Sequence, residues 1–310
     1  MIGHRVKRRL QAAGIRLAAA APVAALLRAA GRYPPAPTIA PGTGRIVESY
    51  GPGPQQVGEW WLPPGTAGGV DLLPTVLLVH GGFWRAGYDR SLEDAVAADL
   101  AGRRYLCWVP DYRPSTVPWP ATLADVAAAA DHLARGSHAA RVDPARLSFV
   151  GHSAGGHLVL WLAARHRLTP PTALAPGVAG LAAGPDTLRP TLVVSQAGVG
   201  ALTDAAARHL GDDAAVELVG GPPDRFDDRY AVSDPIRLLP TGVETVLVHG
   251  TADETVPLDQ STSYRDAAVA VGDRCTLVAV PDAGHRDHLD PTSACGAALR
   301  AALAGPPTPR

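Results

Sequence analysis

The sequence predicts an α/β fold, a mostly parallel sheet of about eight strands with helices on both faces. Three observations carry that expectation. Short apolar runs rich in Val and Leu alternate with stretches whose apolar residues recur at helical spacing, the pattern of strand–helix–strand crossovers. The stretch Leu147 to His157, LSFVGHSAGGH, sets Gly-x-Ser-x-Gly between one such run and an apolar helical pattern. Residues able to carry chemistry fall just past the ends of successive strand-like runs, where open α/β sheets place their sites.

Composition narrows the partners. With 310 residues and 46% hydrophobic content the chain can bury a large core, and one folded domain is expected over residues 44–310. There are 28 basic and 29 acidic residues, a formal net charge of -1, so nothing draws the chain electrostatically to nucleic acid. Cys107, Cys275 and Cys295 are odd in number and far apart, which implies neither a disulfide framework nor a zinc site. Residues 1–43 stand apart as a basic and apolar, then Pro-rich, extension. Arg5, Lys7, Arg8 and Arg9 precede IRLAAAAPVAALL, and Arg16 and Pro22 cut that apolar run too short to span a bilayer. The expectation is a cytoplasmic protein without stable membrane insertion; export or surface association through this segment is the alternative.

The elements follow in order. GRIVESYG and QQVGEWWLPPG read as two strands joined by the Gly51-Pro52-Gly53-Pro54 turn, an antiparallel opening hairpin. TVLLVHGG is a continuous aliphatic run, as a strand covered on both faces requires. In SLEDAVAADLAGR, Leu92, Val96 and Leu100 recur at helical spacing, with Ser91 as N-cap and Asp94 three residues on. YLCWVPDYR is the next buried strand, and ATLADVAAAADHLARG is a helix with Leu123, Val126, Ala130 and Leu133 on one stripe, ended by Gly136. Then come the strand ARLSFVG, the helix GHLVLWLAARHR and, after a Pro-rich connection, the strand TLVVSQAG. The strand ETVLVHG, a helix from Leu258 to Val271, the strand CTLVAVP and a helix from about Thr292 to Leu303 complete the alternation. Residues from about 199 to 240, including GPPDRFDDRYAVSDP, break the rhythm and read as a short cap-like insertion over the strand ends.

Gly-x-Ser-x-Gly between strand and helix lifts Ser153 out at a sharp turn with the helix N-terminus beneath it. A serine hydroxyl needs a base, and the base needs a third group to orient it. HGTADETVP places Asp253 just past one strand, and PDAGH places His285 just past the next. The chain order Ser153, Asp253, His285 is the order found in one serine hydrolase architecture and not in others. Upstream, HGGFW follows a buried strand, and the N–H groups of Gly82 and Phe83, with that of Ala154, are the candidate donors to a developing oxyanion. His80 and His249 read as loop braces and His157 as a core residue. His288 is the rival base, set aside because Gly284 turns the chain directly before His285. Reading His285, Asp287, His288 and Asp290 as metal ligands would cost the triad its base, so neither a metal nor a cofactor is expected. Trp84, Trp119 and Phe226 are the candidates for lining the substrate pocket.

Together HGGFW, GHSAGGH, HGTADETVP and PDAGH resemble the α/β-hydrolase superfamily, in particular its esterase and kynurenine-formamidase-like branch, similar to hormone-sensitive-lipase-type carboxylesterases. The resemblance runs from about Gly44 to Leu303. It implies an α/β-hydrolase fold and hydrolysis of a small-molecule ester or amide. Phe83 and Trp84 stand where many lipases carry a third glycine, which narrows the space beside the oxyanion donors. The expected activity is cleavage of short-chain carboxylic esters through an acyl-enzyme. Arylformamidase action on a formyl-kynurenine-like amide, a serine peptidase and a non-catalytic binding module are the alternatives.

Overall fold

A computed structural model describes residues 25, 27, 36–66, 68–168 and 181–305. The expected extension over residues 1–43 falls mostly outside the described residues, as does part of the Pro-rich connection before Thr191. Eight strands form one sheet in the order β1-β2-β4-β3-β5-β6-β7-β8. They are β1 (Gly44–Ser49), β2 (Val57–Leu62), β3 (Leu73–Val79), β4 (Leu106–Pro110), β5 (Val142–His152), β6 (Leu192–Gln196), β7 (Glu244–Gly250) and β8 (Cys275–Val280). The β1–β2 and β2–β4 pairs are antiparallel and every other pair is parallel. This is the α/β-hydrolase fold.

Side chains alternate faces along each strand, so one strand feeds two cores. On one face Trp60, Leu77, Val79, Trp108 and Phe149 pack with Leu123 and Val126 of α2 (Ala121–Asp131) and with Leu158 and Trp161 of α3 (Ala154–Ala164). On the other, Trp61, Val76, Leu78, Cys107, Val109, Val150, Val194 and Val248 pack with Val96 and Leu100 of α1 (Asp94–Gly102) and Leu299 of α8 (Ala294–Ala304). Each such side chain contributes about 1.5–3 kcal/mol by leaving water. Helix α3 is buried along its whole length, which explains an apolar pattern that runs all round it.

The turn before α1 differs from expectation. Asp89, not Ser91, is the cap: its carboxylate accepts from the Ser91 N–H, and residues Arg90–Glu93 form a 3-10 turn before α1 begins. Two oxygen-bearing side chains two positions apart offer the same sequence signal, and the incoming extended backbone at Asp89 decides between them. The interval from 199 to 240 holds α4 (Leu202–Ala207), α5 (Leu210–Val219), α6 (Asp227–Ser233) and a 3-10 turn at Pro235–Leu238. The buried Asp234 carboxylate pins the start of α4, accepting from the N–H groups of Leu202 and Thr203 and from the Thr203 hydroxyl. Helix α7 (Asp259–Ala270) joins β7 to β8. Among the described residues no helix is long and apolar enough to cross a membrane, and the three cysteines are free thiols.

Candidate active site

β5, one of the two central strands of the sheet, ends in a sharp turn. It runs into Ser153, whose backbone stands at φ 57 and ψ -119, and α3 starts at the next residue. Only glycine fits around it: a Cβ on Gly155 would lie 2.0 Å from the Val79 carbonyl oxygen, and one on Gly151 would lie 2.2 Å from that of Gly155. A buried residue is thereby held in the left-handed half of backbone space, a conformation that surrounding structure must enforce.

Ser153 meets Asp253 and His285, which follow it by 100 and 132 residues, at the C-terminal edge of the parallel strands. His285 donates its Nδ1–H to Asp253 Oδ2 at 2.7 Å, because an ionised carboxylate can only accept. Its Nε2 is thus left to accept from the Ser153 hydroxyl at 3.0 Å. The second Asp253 oxygen, Oδ1, accepts from the N–H groups of Thr255 and Val256 at 2.8 and 2.9 Å. Burial alone would push this carboxyl up. The hydrogen bonds from His249 and His285, the charge of His285 and the Val256 N–H outweigh it and hold Asp253 well below the usual carboxylate range. A group that stays ionised in a buried site fixes the imidazole tautomer and is placed to stabilise its cation.

Two histidines brace this line of groups: His249, expected as a loop brace, and His152, whose role the sequence did not disclose. His249 is fully buried. It donates Nε2–H to the Val256 carbonyl at 2.9 Å with Asp253 Oδ2 at 3.4 Å, and its Nδ1 meets the Ser261 hydroxyl at 2.8 Å. His152, the residue before Ser153, donates Nε2–H to the backbone carbonyl of His285 at 2.9 Å, and its ring lies 4.6 Å from that of His285. Burial, then the neighbouring His285 and His288, push His152 well below its ordinary value, so it is neutral at pH 7. The motif position of His152 was visible, but its partner stands 133 residues away and left no local signal.

The remaining candidates sort by what they touch. His288 is fully buried beside Cys295, with its pKa lowered to about 3 by burial. His157 donates to the Ser233 carbonyl at 2.9 Å within the core. The His80 ring stacks on Tyr112 at 4.3 Å, and the Tyr112 hydroxyl donates to the His80 carbonyl, bracing the loop that follows β3. Asp287 and Asp290 accept from the backbone of their own turns. Among the described residues no group of three or more His, Cys, Asp or Glu side chains converges as a metal site requires.

A small cleft opens beside Ser153 and Ala154. Phe83, Trp84, Val199, Leu210, Ala215 and Val256 line it, so its walls are almost wholly apolar. Phe83 and Trp84 both stand at positive φ, 59 and 55, which turns the loop sharply at this edge. Among the described residues the N–H groups of Gly82, Phe83 and Ala154 have no protein acceptor. Gly82 itself does not border the cleft; its φ is +120 and the Tyr88 ring fills the space a Cβ would need.

Trp119 is a correction. Expected in the pocket, it instead donates its indole N–H to the Ser233 hydroxyl at 3.0 Å and lies under the Arg229 guanidinium, away from the cleft lining. Tying the segment before α2 to the end of α6 buries most of the ring, and a partly buried indole N–H takes the nearest fixed acceptor.

Sheet order, strand-to-helix turn and sequence match define an esterase of α/β-hydrolase type. The chain belongs to the family described as BD-FAE, whose model matches residues 62–267. Solved structures share the fold. A truncated carbohydrate esterase from gut microbiota is 20% identical with a TM-score of 0.65, over 80% of this chain and 92% of that one. Esterase 2 of Thermogutta terrifontis, in the form phosphoramylated by tabun, is 22% identical with a TM-score of 0.61, over 85% and 92% of the two chains. The same esterase with propionate bound is 24% identical with a TM-score of 0.58, over 79% and 85%. No curated protein matches the sequence significantly.

Proposed function

We propose that this esterase is a serine hydrolase that cleaves short-chain carboxylic esters through an acyl-enzyme. The observation that carries the reading is the unbroken hydrogen-bonded line Ser153–His285–Asp253 at the edge of a small apolar cleft. Ser153 Oγ attacks the ester carbonyl carbon while its proton passes to His285 Nε2; Asp253 holds the Nδ1–H and stabilises the imidazolium. The carbonyl oxygen takes up the negative charge and accepts from the Phe83, Gly82 and Ala154 N–H groups. As the C–O bond breaks, His285 returns the proton to the departing alcohol. Water then enters, loses a proton to His285 and releases the acid from Ser153.

The acyl group fills the cleft against Trp84 and Phe83. Apolar walls with little free volume favour two- to four-carbon acyl chains, each misplaced methylene costing roughly 1–3 kcal/mol. The neighbouring esterase 2 supports both halves of this reading. It is phosphorylated by paraoxon, which calls for an activated nucleophile, and it binds propionate and butyrate.

The test is a panel of chromogenic esters differing only in acyl length, run beside formyl-kynurenine and with a fluorophosphonate label. The expected result is labelling at Ser153 and kcat/KM falling steeply above about eight carbons. A profile rising with chain length defeats the short-chain assignment, and an unlabelled, inert protein defeats the hydrolase mechanism. Turnover of formyl-kynurenine far above every ester would put the arylformamidase reading in its place.

A further inference from the structure

One wall of the cleft is held in a conformation its own sequence does not favour. His209, Gly211, Asp212 and Asp213 all stand in the left-handed region, with φ between 55 and 63 at the first three and 65 at Asp213. Regular helix in α5 begins only at Ala214. Non-glycine residues in this region carry a steric cost and persist only where other groups hold them.

The holding group comes from the loop after β3, which also borders the cleft. Arg85 follows Phe83 and Trp84 in the loop after β3, and its guanidinium donates to the Gly211 carbonyl at 2.8 Å and to the Asp212 carbonyl. It also forms a two-pronged pair with Glu217, at 2.6 and 2.9 Å. The Phe83 ring closes against the same place: a Cβ on Gly211 would lie 2.6 Å from it. Phe83, Leu210, Gly211 and Ala214 all border the cleft. A rigid fork that meets two successive carbonyls and a carboxylate thus joins the loop after β3 to the segment that leads into α5.

We propose that Arg85 is a specificity-determining and positioning residue: by tying its own loop to the Gly211 and Asp212 carbonyls, it sets how long an acyl chain the cleft accepts. The inference rests on the esterase reading above. Glu217 is the lesser partner, because its side chain is 46% exposed and an exposed ion pair contributes little. The carbonyl bonds carry the effect. Without them the left-handed stretch relaxes, Leu210 and Ala214 withdraw, and longer chains gain room. The loop bearing the Phe83 N–H loosens at the same time, so turnover of short chains slows.

The experiment uses the purified full-length chain and its Arg85→Ala, Arg85→Gln and Glu217→Gln variants, each checked by circular dichroism. kcat and KM are measured separately on p-nitrophenyl acetate, butyrate and octanoate. In Arg85→Ala the octanoate-to-acetate ratio of kcat/KM should rise about tenfold, with the acetate loss in kcat and the octanoate gain in KM. Glu217→Gln should keep the wild-type ratio within about threefold. A folded Arg85→Ala that loses all three esters in equal proportion, or changes none, overturns the inference. If Arg85→Ala does not fold, Arg85→Gln decides: an unchanged ratio overturns the inference and a raised one supports it. A wild type inert toward every ester removes the esterase reading and this inference with it, whereas an active wild type with an indifferent Arg85 removes this inference alone.

Discussion

Glu93 ends the 3-10 turn that leads into α1, and it is fully buried with neither carboxylate oxygen bonded among the described residues. Burial, with a smaller contribution from Asp94, raises its pKa from 4.5 to about 8. In the unfolded chain the group loses its proton near pH 4.5; in the folded protein it keeps it until about pH 8. Between those values the folded state binds one more proton, so stability falls as pH rises through that window. Below it, both states hold the proton and the group costs nothing in pH-dependent terms. The displacement from 4.5 to about 8 corresponds to about 5 kcal/mol on crossing the whole window. Glu93→Gln keeps the shape and removes the titration. The variant should melt close to the wild type at pH 4.5 and roughly 10 °C above it at pH 8.5, taking about 2 °C per kcal/mol for a domain of this size. Differential scanning calorimetry of both proteins across pH 4.5–8.5 reads this directly, since titrations elsewhere cancel in the difference. A melting difference that stays flat with pH would refute the reasoning.

Ser153→Ala should keep the fold and lower kcat by on the order of 10⁴ or more, because the groups of such a unit act together; near-normal rates in the pure variant would remove the mechanism. His152→Ala leaves the His285 carbonyl without its donor, and kcat should fall roughly 10–100-fold with KM little changed. An equal change confined to KM would show that His152 does not position the base. Gly155→Ala drives a methyl from the first turn of α3 to 2.0 Å from the Val79 carbonyl oxygen at the end of β3; it should give insoluble or unfolded protein, and normal expression with a normal melting temperature would contradict the turn geometry.

The alternation of strand and helix was legible because a two-faced sheet writes its period into the residues themselves: Trp60 and Trp61, or Leu77 and Leu78, are neighbours in sequence and sit in different cores. The turn at Ser153 was legible for a related reason, since its glycines answer contacts made within a few residues or across one strand pair. Ser91 and Asp89 show the limit of local signals. Both can cap a helix, and the choice depends on the backbone direction that the preceding loop imposes. Trp119 shows a second limit. An aromatic in a loop near a site has the same appearance whether it faces the cleft or, as here, ties itself to Ser233 more than a hundred residues on.

The wall of the cleft is where local reading fails most completely, and the failure has a physical cause. Gly211-Asp212-Asp213 stands just before a helical stretch, and poor helix formers there mark an end without saying which way the backbone turns. Each non-glycine residue held left-handed costs about 1–2 kcal/mol in itself, so propensity argues against the conformation found. What offsets that cost is a guanidinium 126 and 127 residues earlier in the chain and the Phe83 ring beside it. Motifs of four or five residues can specify a nucleophile, a base and its orienter because each sits on its own strand end. On the proposed role of Arg85, the width of the space beside them depends on how two distant loops are fastened together. Chemistry and chain-length preference would then be written at different ranges, and a substitution at Arg85 should separate them where one at Ser153 cannot.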